Sequence, residues 1–250
     1  MTFLAEYQAL EERFRRQAED EGGVYVPNIA PTKPVEWVLV CMEPSLMRWN
    51  RSIDDPKAGL EPGARNFVSS PEDFILHYCA HRYLSGSYHV TDLAKGAMTV
   101  KQAGVARKER YNRWYPLLLD EVRLVGLPNV RVVAVGDVVA DFLNDNGLPY
   151  PLERVIHYSG MAARGRNVLV SGREAEFQRY AETVSADDFR ATAAEVLDLA
   201  GVPQVLRASA LARLRDGKLT ESRLKLMFIY KQAFETFMRR RPVAVTGPLP

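Results

Sequence analysis

Apolar side chains at Phe3, Leu4, Tyr7, Leu10 and Phe14 recur at helical spacing and stop at Gly22-Gly23, which predicts an amphipathic helix over residues 3–21. Residues 24–35, with Pro27, Pro31 and Pro34, read as a loop. Val35 to Met42 is apolar apart from Glu36, the pattern of a strand buried on both faces. Glu43 to Ser70 has no periodicity, and a long loop after a buried strand is more often functional than idle. Ser70-Pro71-Glu72-Asp73 supplies an N-cap, a proline at the first helical position and first-turn acids, opening a helix that runs to about Leu84. Tyr88 to Leu93, Val130 to Val135 and Val155 to Tyr158 read as further strands, with helices over 108–125 and 137–145 between them.

Strands alternating with helices predict a parallel sheet covered on both faces, here a three-layer α/β/α unit with a central four-stranded parallel sheet. From Gly172 the pattern turns helical, over 172–184, 186–200, 203–214 and 220–240. Residues 1–250 are expected to form one domain, its core over about 24–185 and a C-terminal helical extension over about 186–240, with a loose tail.

Composition adds little on its own. The 33 Lys and Arg against 31 Asp and Glu leave a charge of +2, so bulk electrostatics announce no nucleic-acid partner. Cys41 and Cys79 have no CxxC neighbours, which argues against a disulfide framework, a zinc finger and a four-cysteine iron–sulfur cluster. No apolar stretch approaches the roughly 20 residues that cross a bilayer, and the amino terminus mixes acids with bases, so the expected location is the cytoplasm.

In an open parallel sheet, ligands bind beyond the carboxyl ends of the strands. Those segments contain Glu43, Asp92, Lys95 and His157. Each has an ordinary structural role open to it, as a turn, cap or strand-end residue. Acid and histidine from different strands meeting at one edge, however, can serve a reaction that needs both.

The order and context of these segments resemble the uracil-DNA glycosylase superfamily. VLVCMEPS is similar to its first motif, RVIHYSGMAARGR to its histidine motif, YHVTDLAK to the strand ending in the base-reading Asn, and VRVVAVGDVVADFL to the strand-Gly-helix unit before the histidine. The match covers about residues 35–170, and the order of four degenerate segments carries most of it. The resemblance implies that Glu43 positions or activates water or stabilises the sugar cation, and that His157 donates to base O2 as the base departs. It implies a base-binding set of Met42, Ser45, Phe67 and Asp92. Phe67, in GARNFV, either stacks on the flipped base or tacks the long loop to the core. No cofactor is implied.

Departures from the family pattern bear on the substrate. Cys41 replaces the usual Gly and Tyr158 the Pro after the histidine. Ser45 stands where the strict uracil enzymes have a Tyr that blocks C5 substituents, and Asp92 replaces the Asn. A carboxyl accepts from a cytosine amino group and, if protonated, donates to N3. Both changes point to a 5-substituted cytosine, hydroxymethylated or glucosylated, as in phage DNA, and the chain is compatible with superfamily members that act in anti-phage defence. Asp92 as a structural acid is the alternative.

Cations for phosphate contact are Arg48 and Arg51 near Trp49, Lys101, Arg107, Lys108, Arg110 and Arg113, and Arg164 and Arg166, with Met161 placed to enter the vacated base stack. For 101–113 an ordinary solvated helix face is the slightly favoured reading. His77 and His81, four apart on a helix, suggest a metal pair, but Cys79 points elsewhere and no carboxylate matches them, so no metal is expected. Lys95 is the one rim lysine that could make the enzyme a lyase. The expected function is a monofunctional DNA glycosylase, a monomer acting on DNA. A uracil or deaminated-base repair enzyme, a non-catalytic module that binds a modified base, and a nucleotide-handling enzyme unrelated to DNA are the alternatives.

Overall fold

A computed structural model describes residues 2–44, 65–84, 86–159, 163–216 and 219–240. Helix α1 (Phe3–Asp20) buries Tyr7, Leu10 and Phe14 of the predicted stripe together with Ala18, while Leu4 in its first turn is exposed. Strand β1 (Val24–Tyr25) follows, then β2 (Val35–Cys41), α2 (Pro71–Tyr83), β3 (Tyr88–Asp92), β4 (Gly96–Ala97), α3 (Val100–Gly104), α4 (Arg107–Val125), β5 (Gly126–Val135), α5 (Asp137–Asp145) and β6 (Leu152–Val155). Five helices complete the described chain: α6 (Ala163–Val170), α7 (Glu174–Thr183), α8 (Ala186–Leu199), α9 (Gln204–Asp216) and α10 (Glu221–Arg239).

The four long strands form one parallel sheet in the order β3-β2-β5-β6. Alternate side chains of each strand point to opposite faces, and here both faces are covered. Val38, Val40, Val132 and Ala134 pack with α1, α4 and α5, while Leu39, Cys41, Val133, Val135 and Val155 pack with α2, α7, α8 and α10. The sheet is therefore the middle of three layers, and the C-terminal helices close one face of it. Among the described residues no helix is long and apolar enough to cross a membrane.

Helix α2 begins as its sequence predicts. The Ser70 hydroxyl accepts from the Asp73 N–H at 3.2 Å, and the Asp73 carboxylate accepts from the Ser70 N–H at 2.8 Å, satisfying two amides that the helix itself leaves unpaired.

Three expectations need correction. Residues 24–35 are not all loop, because Val24 and Tyr25 pair antiparallel with Ala97 and Gly96. The last strand is Leu152–Val155 rather than Val155–Tyr158. It ends where its partner ends, at Val135, and the chain then turns across Gly136, so His157 follows the strand instead of lying in it. The segment 163–170 is helical, although it reads as part of the histidine loop.

Candidate active site

Because all four strands run the same way, their carboxyl ends share one edge. Asp92 ends β3 and pairs in register with Cys41, two residues before Glu43. His157 follows β6 by two residues. The strand order puts Glu43 between Asp92 and His157, and the outer strands β3 and β6 are three spacings apart, roughly 14 Å. The three chemical groups predicted from the sequence thus lie along one edge of the sheet.

Hydrogen bonds hold His157 in one form. Its Nδ1 accepts from the Ser159 N–H at 3.0 Å, which leaves Nε2 as the protonated nitrogen of the neutral ring. The ring stacks on Tyr158, 4.7 Å between centroids, and the Tyr158 side chain reaches Cys41 on β2. Gly136 at the end of β5 has φ +105°, and a Cβ there would stand 3.1 Å from His157 Cβ and 3.4 Å from its Cδ2. A side chain at 136 would therefore displace the histidine.

Glu43 is held from α4. Its carboxylate accepts from Arg107 Nη2 at 3.0 Å and from the Tyr111 hydroxyl, and its side chain is 8% exposed. The sequence offers Arg107 as a candidate DNA contact or, slightly favoured, as part of a solvated helix face, and does not single out Tyr111. The reason is that only folding brings α4 against the end of β2.

Asp92 is buried, and burial raises its carboxyl to about 8, helped by the nearby carboxylates of Glu43 and Asp73 and opposed by the Asn66 amide and Lys95. Near neutral pH it therefore keeps much of its proton. Asn66 Nδ2 donates to Asp92 Oδ2. Asn66 was not identified from the sequence, where only its place beside Phe67 draws notice.

Phe67 is 3% exposed and packs in the core against the α2 side, with φ +61°, a conformation bulky side chains rarely adopt. This burial is what the reading of Phe67 as a core-packed residue expects. A strained backbone at a bulky residue is held only by surroundings that over-determine it.

Lys95 is buried, pairing with Glu121 at 2.8 Å and donating to the Asp92 main-chain carbonyl at 2.8 Å. Burial raises the Glu121 carboxyl, but Lys95 and His89 outweigh it and hold it at about 2. A lysine so bound is poorly placed to act as an amine nucleophile.

The cations divide. Arg166 is 3% exposed, and its guanidinium donates to the carbonyls of Tyr158 and Ser159 and to the Ser222 hydroxyl. The expected phosphate contact from Arg166 does not fit this burial; it secures the histidine loop to α10. Arg110 and Arg113 pair with Glu21, joining α4 to the end of α1. Lys101 and Lys108 are exposed. Arg164 lies in the first turn of α6, and its side chain, like Ser45, Arg48, Trp49, Arg51 and Met161, lies outside the described residues.

His77 is buried with Nδ1 3.1 Å from the Tyr88 hydroxyl, and burial lowers it to about 4, so it stays neutral. His81 is exposed. Among the described residues no cluster of three or more His, Cys, Asp or Glu could hold a metal ion. No family model, curated protein or solved structure matches the chain.

Proposed function

We propose that this protein is a monofunctional DNA glycosylase of the uracil-DNA glycosylase type, acting in the cytoplasm as a monomer on a base flipped out of DNA. The observation that carries the proposal is the edge itself: a carboxylate, a buried carboxyl that keeps its proton, and a histidine fixed as an Nε2–H donor, each at the end of a different parallel strand.

Each group has a task in breaking an N-glycosidic bond. As that bond lengthens, its electron pair moves to the base, and the His157 Nε2–H stabilises the charge growing on O2. The sugar becomes cationic at C1′. Glu43 stabilises that cation and accepts a proton from the water whose hydroxyl adds to C1′; the base leaves as an anion and takes up one proton from solvent, Glu43 returns its own to solvent, and an abasic site and neutral free base result. Asp92 reads the base edge. Protonated, it offers one donor and one acceptor, the complement of cytosine N3 and its amino group. A 5-substituted cytosine, as in phage DNA, is the substrate class proposed, and a uracil or deaminated-base repair enzyme is the alternative within the same chemistry. The engagement of Lys95 by Glu121 favours hydrolysis over a lyase step.

One observation favours a second function, a module that binds a modified base without cutting it: Glu43 already accepts from both Arg107 and Tyr111. The deciding experiment incubates the protein with unmodified DNA, uracil-containing DNA and phage DNA carrying hydroxymethyl- or glucosyl-hydroxymethylcytosine, then cleaves abasic sites with alkali. Release from modified DNA alone supports the proposal. Binding to it with no alkali-labile site supports the module, and neither outcome on any DNA sinks both.

A further inference from the structure

Behind the edge, a buried chain of side chains runs from Asp92 into the core. Asn66 Nδ2 donates to Asp92 Oδ2 and also to Asn28 Oδ1, the latter at 3.2 Å, while Asn66 Oδ1 accepts from the Phe67 N–H at 3.0 Å. Exchanging the oxygen and nitrogen of this amide would set an NH₂ against an N–H and an oxygen against two acceptors, so its orientation is determined. Asn28 Nδ2 donates to Thr91 Oγ1 at 2.9 Å. Thr91 in turn gives its hydroxyl proton to Glu121, whose oxygens lie at 2.9 and 3.1 Å. Glu121 ends the chain as an anion, held by Lys95 at 2.8 Å and by His89 at 3.1 Å.

All of these side chains are buried, where an unsatisfied polar group costs more than the bond it would make. No proton in the chain can reverse without leaving such a group. Among the described residues, no hydrogen-bond donor meets the other oxygen of Asp92, Oδ1.

We propose that Asn66 is the positioning residue for the base-reading carboxyl: it holds Asp92 Oδ2 as an acceptor and leaves Oδ1 to carry the proton offered to a flipped base, while Asn28, Thr91 and Glu121 keep Asn66 in that orientation. The role in base reading rests on the glycosylase proposal; the chain and its effect on Asp92 do not. The ligand chemistry that suits it is a heterocycle edge with a bare ring nitrogen beside an amino group.

The other groups that act on Asp92 are Lys95 beyond β3, Glu43 just after β2 and Asp73 from α2, while Cys41 and Tyr111, both neutral in this range, lie near enough to feel its charge. Substitution at Asn66 leaves these side chains in place, and comparing Thr91→Val with Thr91→Ser isolates the effect of the hydroxyl that joins Asn28 to Glu121.

The test follows the Asp92 carboxyl by ¹³C NMR through a pH titration of the whole protein, without DNA, in wild type, Asn66→Leu, Thr91→Val and Thr91→Ser. Losing the Asn66 donor should raise the Asp92 midpoint by about one unit, because a hydrogen bond to the ionised form is removed. Thr91→Val should move it in the same direction but less. Thr91→Ser keeps the hydroxyl and should leave the midpoint at the wild-type value. An unchanged midpoint in folded Asn66→Leu, or equal responses in Thr91→Val and Thr91→Ser, overturns the proposal. If Asn66→Leu does not fold, the Thr91 pair decides alone. The expected shifts in a protein that releases no base would sink the glycosylase proposal and leave the positioning chain standing; base release without the shifts would do the reverse.

Discussion

The Ser159 N–H donates to Nδ1 of His157 at 3.0 Å, so a main-chain amide two residues away decides which nitrogen of the ring can donate. The expected consequence is spectroscopic as well as chemical. ¹⁵N shifts of the neutral ring should show a bare Nδ1 and a protonated Nε2, and the reversed pattern would exclude His157 as a donor through Nε2. His157→Ala should slow base release by roughly 10²–10³-fold, as for loss of one preorganised donor, while leaving DNA affinity nearly unchanged. Equal losses in binding and in single-turnover rate would count against a role made mainly in the transition state.

Asp92 makes stability depend on pH in a defined direction. Its carboxyl ionises near 3.8 in the unfolded chain and near 8 in the fold, so between these values unfolding releases a proton. The folded state is thus favoured at low pH, and that contribution is lost as pH rises through about 8. Asp92→Asn removes the ionisable group. Its unfolding free energy relative to wild type, followed by denaturant titration, should therefore climb between pH 5 and pH 8.5, by on the order of a few kcal/mol at most. A pH-independent difference would show that Asp92 ionises normally in the fold.

The same substitution tests the choice of base. An amide can present the donor and acceptor that uracil needs, so Asp92→Asn should lower release from modified cytosine and raise it from uracil. A mispaired buried edge costs roughly 1–3 kcal/mol, enough to change the ratio of the two rates about tenfold or more. Competition assays on the two DNAs measure that ratio directly, and a ratio identical to wild type removes Asp92 from base reading.

Glu43 and Tyr111 should rank in order. Glu43→Gln removes the charge beside C1′ and should reduce base release more than 100-fold, as for loss of an electrostatic group aimed at the transition state. Tyr111→Phe removes one hydrogen bond to the carboxylate and should cost about tenfold in rate and about 1 kcal/mol in stability. Full activity in Glu43→Gln would favour the binding module.

Arg166 separates a structural cation from a DNA-binding one. Its guanidinium is spent on the Tyr158 and Ser159 carbonyls, so Arg166→Met should lower Tm by several degrees and slow base release through the histidine loop. The dependence of DNA affinity on salt should keep its slope. A slope reduced by about one unit would instead identify a phosphate contact.

Local pattern was enough to mark most of the architecture. The period-3.6 stripe of α1, the capping box of Ser70 and Asp73, the unbroken apolar run of β2 and the turn at Gly136 are each written within a few consecutive residues, because each depends on local sterics and hydrogen bonds. The same logic placed Glu43, Asp92 and His157 at strand ends, and parallel strands necessarily bring such ends to one edge. The end of β6 was misjudged because Ile156 and Tyr158 are as β-prone as the strand itself, and only pairing with β5 terminates it.

What the sequence could not contain was which distant groups would meet. Asn66 lies 26 residues from Asp92, Tyr111 lies 68 from Glu43, and Arg166 is indistinguishable in sequence from a surface arginine until α6 and α10 bury it. Protonation depends on those meetings: Asp92 holds its proton and Glu121 loses its own because burial costs each the same kind of solvation, while only Glu121 has Lys95 and His89 against its carboxylate. The identity of the acids was set by the sequence, but their charge was decided by the fold, since the energy of a charge depends on everything around it and not on its neighbours in the chain.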